Sequence, residues 1–389
     1  MQMDFMETMR ALTPDTPSEP IAWDALETRF GAFFSAMRET QQNPVHHAEG
    51  DVFIHTRNVC EALRALPGYP ALPALRKTEL FTAALLHDIG KIETTRLENG
   101  AWTSPNHAEV GSRMARTFLW QESGTCGTPE KMRFRETVCA LIRYHMQPAY
   151  LGGRKNPERK IREIAVLGEQ LPDFSWDVLC LLSEADGRGR IAEDSEKDLR
   201  TLHTCRTLTE QAGCLTGPFV FGNACAKRAY FCGRDVPADR TPCDDTWGEV
   251  VLMSGLPGTG KEDWICANLP QLPMVSPEEI RRELHAPPDK IDDVIRTAQA
   301  RARACLRKRQ PFVWNAPSLT VESRRNLVRL FEQYGARVRI VYLETDWEKC
   351  LKRSRNTEHA AAEHALERML SLTVPPAPDE AQTVEWIAV

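Results

Sequence analysis

The stretch VVLMSGLPGTGKEDW, Val250 to Trp264, decides the architecture of its half of the chain. An apolar run with the look of a strand, VVLMS, stops at Gly255, and a helical segment begins around Lys261. In a strand–glycine loop–helix of this kind, backbone N–H groups curl around phosphate oxygens, the helix N-terminus adds its positive dipole end, and Lys261 reaches the β and γ phosphates. Gly255, Pro257, Gly258, Thr259, Gly260, Lys261, Glu262 and Asp263 are therefore the candidate nucleotide-contacting residues. One position departs from the usual pattern. A Ser or Thr after the lysine normally holds magnesium, and here Glu262 and Asp263 follow it. An acidic residue there can hold the ion directly or through water, while repelling the phosphates.

Downstream, strand-like and helical runs alternate: PMVS, a long helix to Arg309, FVWN, a helix to Tyr334, then RIVYLE. This predicts an α/β unit over 248–389, a parallel sheet with helices on both faces. Upstream, between Gly213 and Gly248, the texture is of short aromatic and glycine-containing pieces, read as a linker or bridging module over 213–247. Before that, VCEALRAL and LFTAALLHDIGKI carry apolar residues at three and four spacing between Pro and Gly breaks, so 23–212 reads as an all-α domain behind an N-terminal extension, 1–22. A multidomain chain also suits 389 residues, two or three times the common domain length of roughly 150.

Composition narrows the class. With 42% hydrophobic and 26% charged residues, and no apolar run near the ~20 residues that span a bilayer, the chain reads as soluble and globular with no membrane partner. Its first 22 residues lack a compact apolar segment, so no secretory signal is expected and the expected location is the cytoplasm. Twelve cysteines without a Cys-x-x-Cys pair fit a reducing compartment. A net charge of −5 excludes a duplex-coating protein but not binding to polynucleotide ends, for which Arg301, Arg303, Arg307, Lys308 and Arg309 form one local basic group.

The helical half carries its own chemistry. His87-Asp88 closes an apolar helix and is followed by Ile89-Gly90-Lys91; His55 lies upstream in DVFIHTRNV and Asp186 downstream in SEADGRGR. Imidazoles and carboxylates from separate helices can converge on a divalent ion. That order of residues resembles the HD phosphohydrolase superfamily. The resemblance extends to His107 in SPNHAEVGSRMA and His145 in LIRYHMQP, where two-metal members add ligands, so His55, His87, Asp88, His107, His145 and Asp186 form the expected metal set. His46 and His47 are left outside it. A metal so held lowers the pKa of bound water toward ~7 and neutralises phosphate, with Lys91 placed to assist. Arg188 and Arg190 are equally readable as phosphate ligands and as surface charges.

In the α/β half, VSPEEIRREL places Glu278 and Arg281 at i and i+3 on one helix face after the second strand. A carboxylate there can take a proton from an attacking hydroxyl, and the arginine can fix the acceptor's phosphate. DWEKCLKRSRN offers Arg355 for a lid over the donor phosphates, with Arg353 competing.

GLPGTGKEDW, EEIR and the Arg355 region together resemble the P-loop polynucleotide kinase family. Joined to the helical half, the chain from about His46 to Trp386 resembles bacterial HD–polynucleotide kinase fusions, which heal broken nucleic-acid ends. That resemblance implies hydrolysis of 2',3'-cyclic phosphate and 2'- or 3'-phosphate ends by the HD unit, with one or two divalent transition ions (Ni, Mn, Co or Fe). It implies phosphorylation of 5'-hydroxyl RNA or DNA ends by the P-loop unit, with Mg and an NTP, ATP or GTP. Lys261 would then contact phosphates, Glu278 act as general base, Arg281 bind the acceptor phosphate and Arg355 clamp the donor; a separate nucleic-acid ligase is one suggested partner. Several positions depart from the family: Glu278 and Glu279 replace aspartates, Pro317-Ser318 stands where Thr-Asn is usual, and Thr357 where a second arginine is common. Two other readings stay open: a small-nucleotide hydrolase fused to a small-molecule kinase, and an HD hydrolase with a regulatory nucleotide-binding unit.

Overall fold

The computed structural model describes residues 4–121, 124–191, 195–233, 242–287, 290–355 and 363–389. The chain forms two compact units, 1–125 with 130–219, and 126–129 with 220–389. Thr357, named above, lies outside the described residues.

The first unit is helical: α1 (Phe5–Leu12), α2 (Trp23–Glu39), α3 (Val52–Ala65), α4 (Ala74–Leu86), α5 (Lys91–Thr94), α6 (His107–Gln121), α7 (Pro129–Tyr144), α8 (Gln147–Tyr150), α9 (Pro157–Ala165), α10 (Trp176–Gly189) and α11 (Ser195–Gln211). In α3, Asp51 caps the N-terminus by accepting from the Ile54 N–H at 2.9 Å, and His55, Val59 and Leu63 recur at i, i+4, i+8 on the buried face. α4 is buried from Lys77 to Leu86, so it runs through the core rather than over it. The all-α reading needs one amendment. β1 (Arg96–Glu98) and β2 (Ala101–Thr103) form an antiparallel hairpin whose turn, Asn99-Gly100, has positive φ at both residues (51° and 80°), the backbone a two-residue hairpin turn requires.

The second unit begins with α12 (Ala224–Phe231), inside the expected bridging stretch; Arg228 ties it to Glu332 at 2.7 Å. A parallel sheet follows: β3 (Glu249–Ser254), β4 (Met274–Val275), β5 (Val313–Trp314), β6 (Arg337–Glu344) and β7 (Thr383–Ala388), in spatial order β4-β5-β3-β6-β7. Its helices are α13 (Lys261–Asn268), α14 (Pro277–Glu283), α15 (Ile291–Arg307), α16 (Val321–Gln333), α17 (Trp347–Arg355) and α18 (Glu363–Leu372). Along β3, Val250 and Leu252 enter a core built with α15 and α16, while Val251 and Met253 enter another with Ile265 of α13. A sheet covered on both faces explains why these strands read as continuous apolar runs. Four strands were legible in the sequence; the fifth, β7, lies parallel beside β6 at the sheet edge. Because β4 and β5 fall to one side of β3 and β6 and β7 to the other, the loop leaving β3 opens at the switch in strand order, where such sheets bind ligands. Among the described residues, no helix is long and apolar enough to cross a membrane.

Candidate active sites

Asp88 is the centre of the helical unit's site. It follows directly on the end of α4, and glycine at position 90 lets α6 approach: a Cβ there would stand 2.0 Å from the His107 carbonyl oxygen. The approach brings His107 Nε2 to 3.4 Å from Asp88 Oδ1. Asp88 Oδ2 receives the Lys91 ammonium at 2.7 Å and lies 3.2 Å from His87 Nε2 and 3.6 Å from His55 Nε2; His145 Nε2 is 4.0 Å from Oδ1. Asp186, carried by α10 against α3, meets His55 Nε2 at 3.1 Å. All six expected ligands and Lys91 therefore converge.

Three of the imidazoles are set identically. Nδ1 of His87 lies 2.8 Å from the Ala84 carbonyl, Nδ1 of His107 2.9 Å from that of Ser104, and Nδ1 of His145 2.7 Å from that of Ile142. A carbonyl can only accept, so each Nδ1 carries the proton and each Nε2 presents a lone pair to Asp88. Burial pulls the His107 imidazole down and that of His145 to about 3, keeping both neutral. Burial works to raise the Asp88 carboxyl, but the Lys91 ammonium outweighs it and holds it well below the usual range; Arg190 and His55 do the same for Asp186.

These residues fit a divalent ion. Nε2 of His87 and of His107 are buried without a hydrogen-bond partner, an arrangement costly for a polar atom unless something else occupies the lone pair. Ligand atoms of His55, His87 and Asp88 lie within 4.8 Å of one another, as do those of Asp88, His107 and His145, so Asp88 belongs to both groups. Mixed imidazole and carboxylate donors suit divalent transition metals.

Sequence reasoning missed Glu49. Its buried carboxylate accepts from His47 Nδ1 at 2.8 Å and from the Ile191 N–H at 2.8 Å, and lies 2.9 Å from His55 Nδ1. It fixes the His55 ring from behind and ties it to the chain just after α10, the helix that carries Asp186. Arg188 and Arg190 part company: Arg188 is half exposed and pairs with Glu184, whereas Arg190 binds Asp186 at 2.5 Å and lines the cavity over Asp88. That cavity holds about 650 Å³ and is also lined by His46, His47, Trp102 and Tyr150.

In the second unit the glycine loop connects β3 to α13. Gly258 has φ +83°, and a Cβ on it would stand 2.6 Å from the Cys350 carbonyl oxygen, so glycine is required twice over. Lys261 is buried; its ammonium donates to the carbonyls of Leu256 at 2.8 Å and Gly255 at 3.1 Å, and burial lowers its pKa. Thr259 turns inward to the Leu256 carbonyl at 2.9 Å, while Asp263 is exposed. Glu262 accepts from the Asn315 amide at 2.8 Å; partial burial works to raise its carboxyl, and Asn315 and Lys261 outweigh that.

A cavity of about 550 Å³ joins Pro257, Gly258, Lys261 and Glu262 to Glu278 and Arg281 of α14. Those last two form an ion pair at 2.7 Å, as their spacing predicts. Asn315 also lines this cavity with its Oδ1 buried and unpartnered, a residue the sequence reading did not single out. Of the lid candidates, Arg353 lies beside the loop, its Nη1 3.0 Å from where a Cβ on Gly260 would stand. Arg355 is exposed and pairs with Glu363 at 2.6 Å. The unusual Pro317-Ser318 braces the loop through main-chain atoms: the Pro317 carbonyl accepts from the Gly255 N–H at 2.9 Å and the Ser318 carbonyl from Ser254 Oγ at 3.0 Å. Ser318 holds φ +45°, a conformation asparagine adopts more readily than serine.

Comparison with known proteins agrees with this division. Residues 52–166 match the HD domain family and residues 250–376 an AAA domain family. The chain thus carries a helical HD domain followed by an α/β domain with a parallel five-stranded sheet of P-loop kinase fold. A crystal structure from Chloroflexus aurantiacus, described provisionally as that of a kinase, is similar at 15% identity with a TM-score of 0.31, over 36% of this chain and 87% of its own. No curated protein matches the chain.

Proposed function

We propose that the chain is a two-headed enzyme that heals nucleic-acid ends. The HD unit removes 2',3'-cyclic phosphate and 2'- or 3'-phosphate, and the P-loop unit phosphorylates 5'-hydroxyl ends from an NTP. The carrying observation is that each unit lines a cavity with carboxylates and cations, Asp88 with Lys91 and Arg190 in one, and Glu278 with Arg281 and Lys261 in the other.

In the HD unit, a divalent ion held by His55, His87, Asp88 and Asp186, with a second on Asp88, His107 and His145, would supply an acidified water and a Lewis acid for the phosphoryl oxygens. The three carbonyl-anchored imidazoles keep their lone pairs aimed inward without reorganisation. Lys91 and Arg190 border the same cavity as cations, able to neutralise phosphate oxygens.

In the P-loop unit, Lys261 leaves its two carbonyl partners for donor phosphates. A phosphate on the acceptor strand competes with Glu278 for Arg281, which frees the Glu278 carboxylate to take the 5'-hydroxyl proton. The extra methylene of Glu278 shifts that base outward, and a misplacement near ~1 Å costs on the order of 10²-fold, so a slow kinase is expected. Glu262 stands where a hydroxyl usually holds magnesium and offers a carboxylate instead. The Glu262–Asn315 bond also favours a second reading, a nucleotide-sensing P-loop unit with little turnover.

Chain-length dependence separates end healing from a small-molecule kinase. Phosphorylation of a 5'-hydroxyl trinucleotide should exceed that of the free nucleoside by at least about 10-fold in kcat/KM, because only the longer acceptor brings a phosphate to Arg281. Equal rates on the two would overturn the polynucleotide reading.

A further inference from the structure

The cavity of the HD unit contains a second set of side chains that the phosphate chemistry does not use. Its lining is polar and charged at Asp88, Lys91, His107 and Arg190, and aromatic at Trp102 and Tyr150. Among the described residues of this unit, six large apolar side chains are exposed: Val45, Ile54, Leu75, Leu97, Tyr150 and Ile191. One of these is at the same cavity, and three stand next to its lining residues along the chain or across the hairpin. Tyr150 lines it at 58% exposure; Val45 and Ile191, at 71% and 59%, are chain neighbours of the lining residues His46 and Arg190; Leu97, at 59%, stands opposite Trp102 across the hairpin. Exposed apolar side chains scattered singly need no explanation, but an exposed tyrosine and a tryptophan lining one charged cavity suit an apolar part of a ligand.

The hairpin is built to present Trp102. An isolated two-stranded ribbon is marginal in water, and this one is closed at both ends. The Asn99-Gly100 turn sets its tip, and Thr95 Oγ1 hydrogen-bonds Ser104 Oγ at 2.8 Å at its base. Thr103 Oγ1 donates to Glu98 at 2.9 Å across the strands. Opposed residues of an antiparallel pair project from the same face, so Leu97 backs Trp102.

A ligand that satisfies both halves of this cavity carries a phosphate at one end and a planar apolar group at the other. We propose that Trp102 and Tyr150 are stacking surfaces for the base of the nucleotide whose phosphate is processed at Asp88. The HD unit then selects nucleotidyl phosphates over simple phosphate esters without reading which base is present, because every base offers a π-face. This specifies the substrate of the proposed end-processing activity and rests on that reading.

The test compares kcat/KM of the metal-loaded protein for cytidine 3'-phosphate and for ribose 3-phosphate, the same monoester without a base. The readout is the ratio of the two. Trp102→Ala and Tyr150→Ala should each lower this selectivity on the order of 10-fold, and Trp102→Phe, which keeps an aromatic face, should restore most of it. An equal loss on both substrates leaves the ratio unchanged, marks the effect as structural and overturns the inference. So does an unchanged ratio with full activity in both alanine variants, which leaves end processing standing. A parent protein that cleaves ribose 3-phosphate and no nucleotide overturns the end-processing reading and the inference with it.

Discussion

Asp88→Ala is expected to reduce hydrolysis of 2',3'-cyclic phosphate ends by on the order of 10³-fold or more while phosphorylation of 5'-hydroxyl ends continues at close to the parental rate. Asp88 faces both groups of candidate ligands, so its loss removes a donor from each at once. It also leaves the buried Lys91 ammonium with Gln42 as its remaining partner, at 2.7 Å. Breaking a buried pair from one side costs about 3 kcal/mol, so the alanine variant should also melt earlier. Asp88→Asn keeps the shape and should separate the two effects, losing the same activity with a smaller drop in melting temperature. Equal loss of both activities in a folded Asp88→Asn variant would contradict independent sites.

Lys261→Ala should do the reverse, lowering 5' phosphorylation by on the order of 10²- to 10³-fold and leaving cyclic phosphate hydrolysis intact. The lysine is buried within the loop it serves and is held by two of that loop's own carbonyls, so it is placed for donor phosphates before they arrive. Phosphorylation at the parental rate in this variant would remove Lys261 from the mechanism. Turnover near zero in the parent protein, with nucleotide binding that Lys261→Ala weakens, would favour the sensing role that the Glu262–Asn315 bond suggests.

What the sequence made legible was whatever a short window carries. The glycine loop, the helical spacing before His87 and the apolar runs of β3 and β6 each announce their structure within about 15 residues. The six candidate ligands could be named because their order along the chain resembles a known pattern, not because spacing alone brings His55 to Asp186, which stands 131 residues away. Glu49 was invisible for that reason: its role lies in a contact with His55 and a main-chain bond from Ile191, and nothing local to AEGD signals either. The sequence favoured Arg355 over Arg353 for the lid, and it could not show that the course of α17 brings Arg353 to Gly260 and Arg355 to Glu363. The β1–β2 hairpin differs from these. Its Asn99-Gly100 dipeptide is a strong local signal, and a domain-wide helical pattern masked it. β7 runs TVEWIA, suitably β-branched and aromatic, but Glu385 interrupts it, so it lacks the continuous apolar run that marked β3.

The most direct test uses one short RNA bearing a 5'-hydroxyl and a 2',3'-cyclic phosphate, incubated with the protein, magnesium and a γ-labelled nucleoside triphosphate, with and without nickel, manganese or cobalt. Both ends of the same molecule are then followed. Label at the 5' end, together with opening or loss of the cyclic phosphate that depends on the added transition metal, is the predicted result. An RNA left unchanged at both ends under every metal would contradict end healing and return the chain to the small-nucleotide reading.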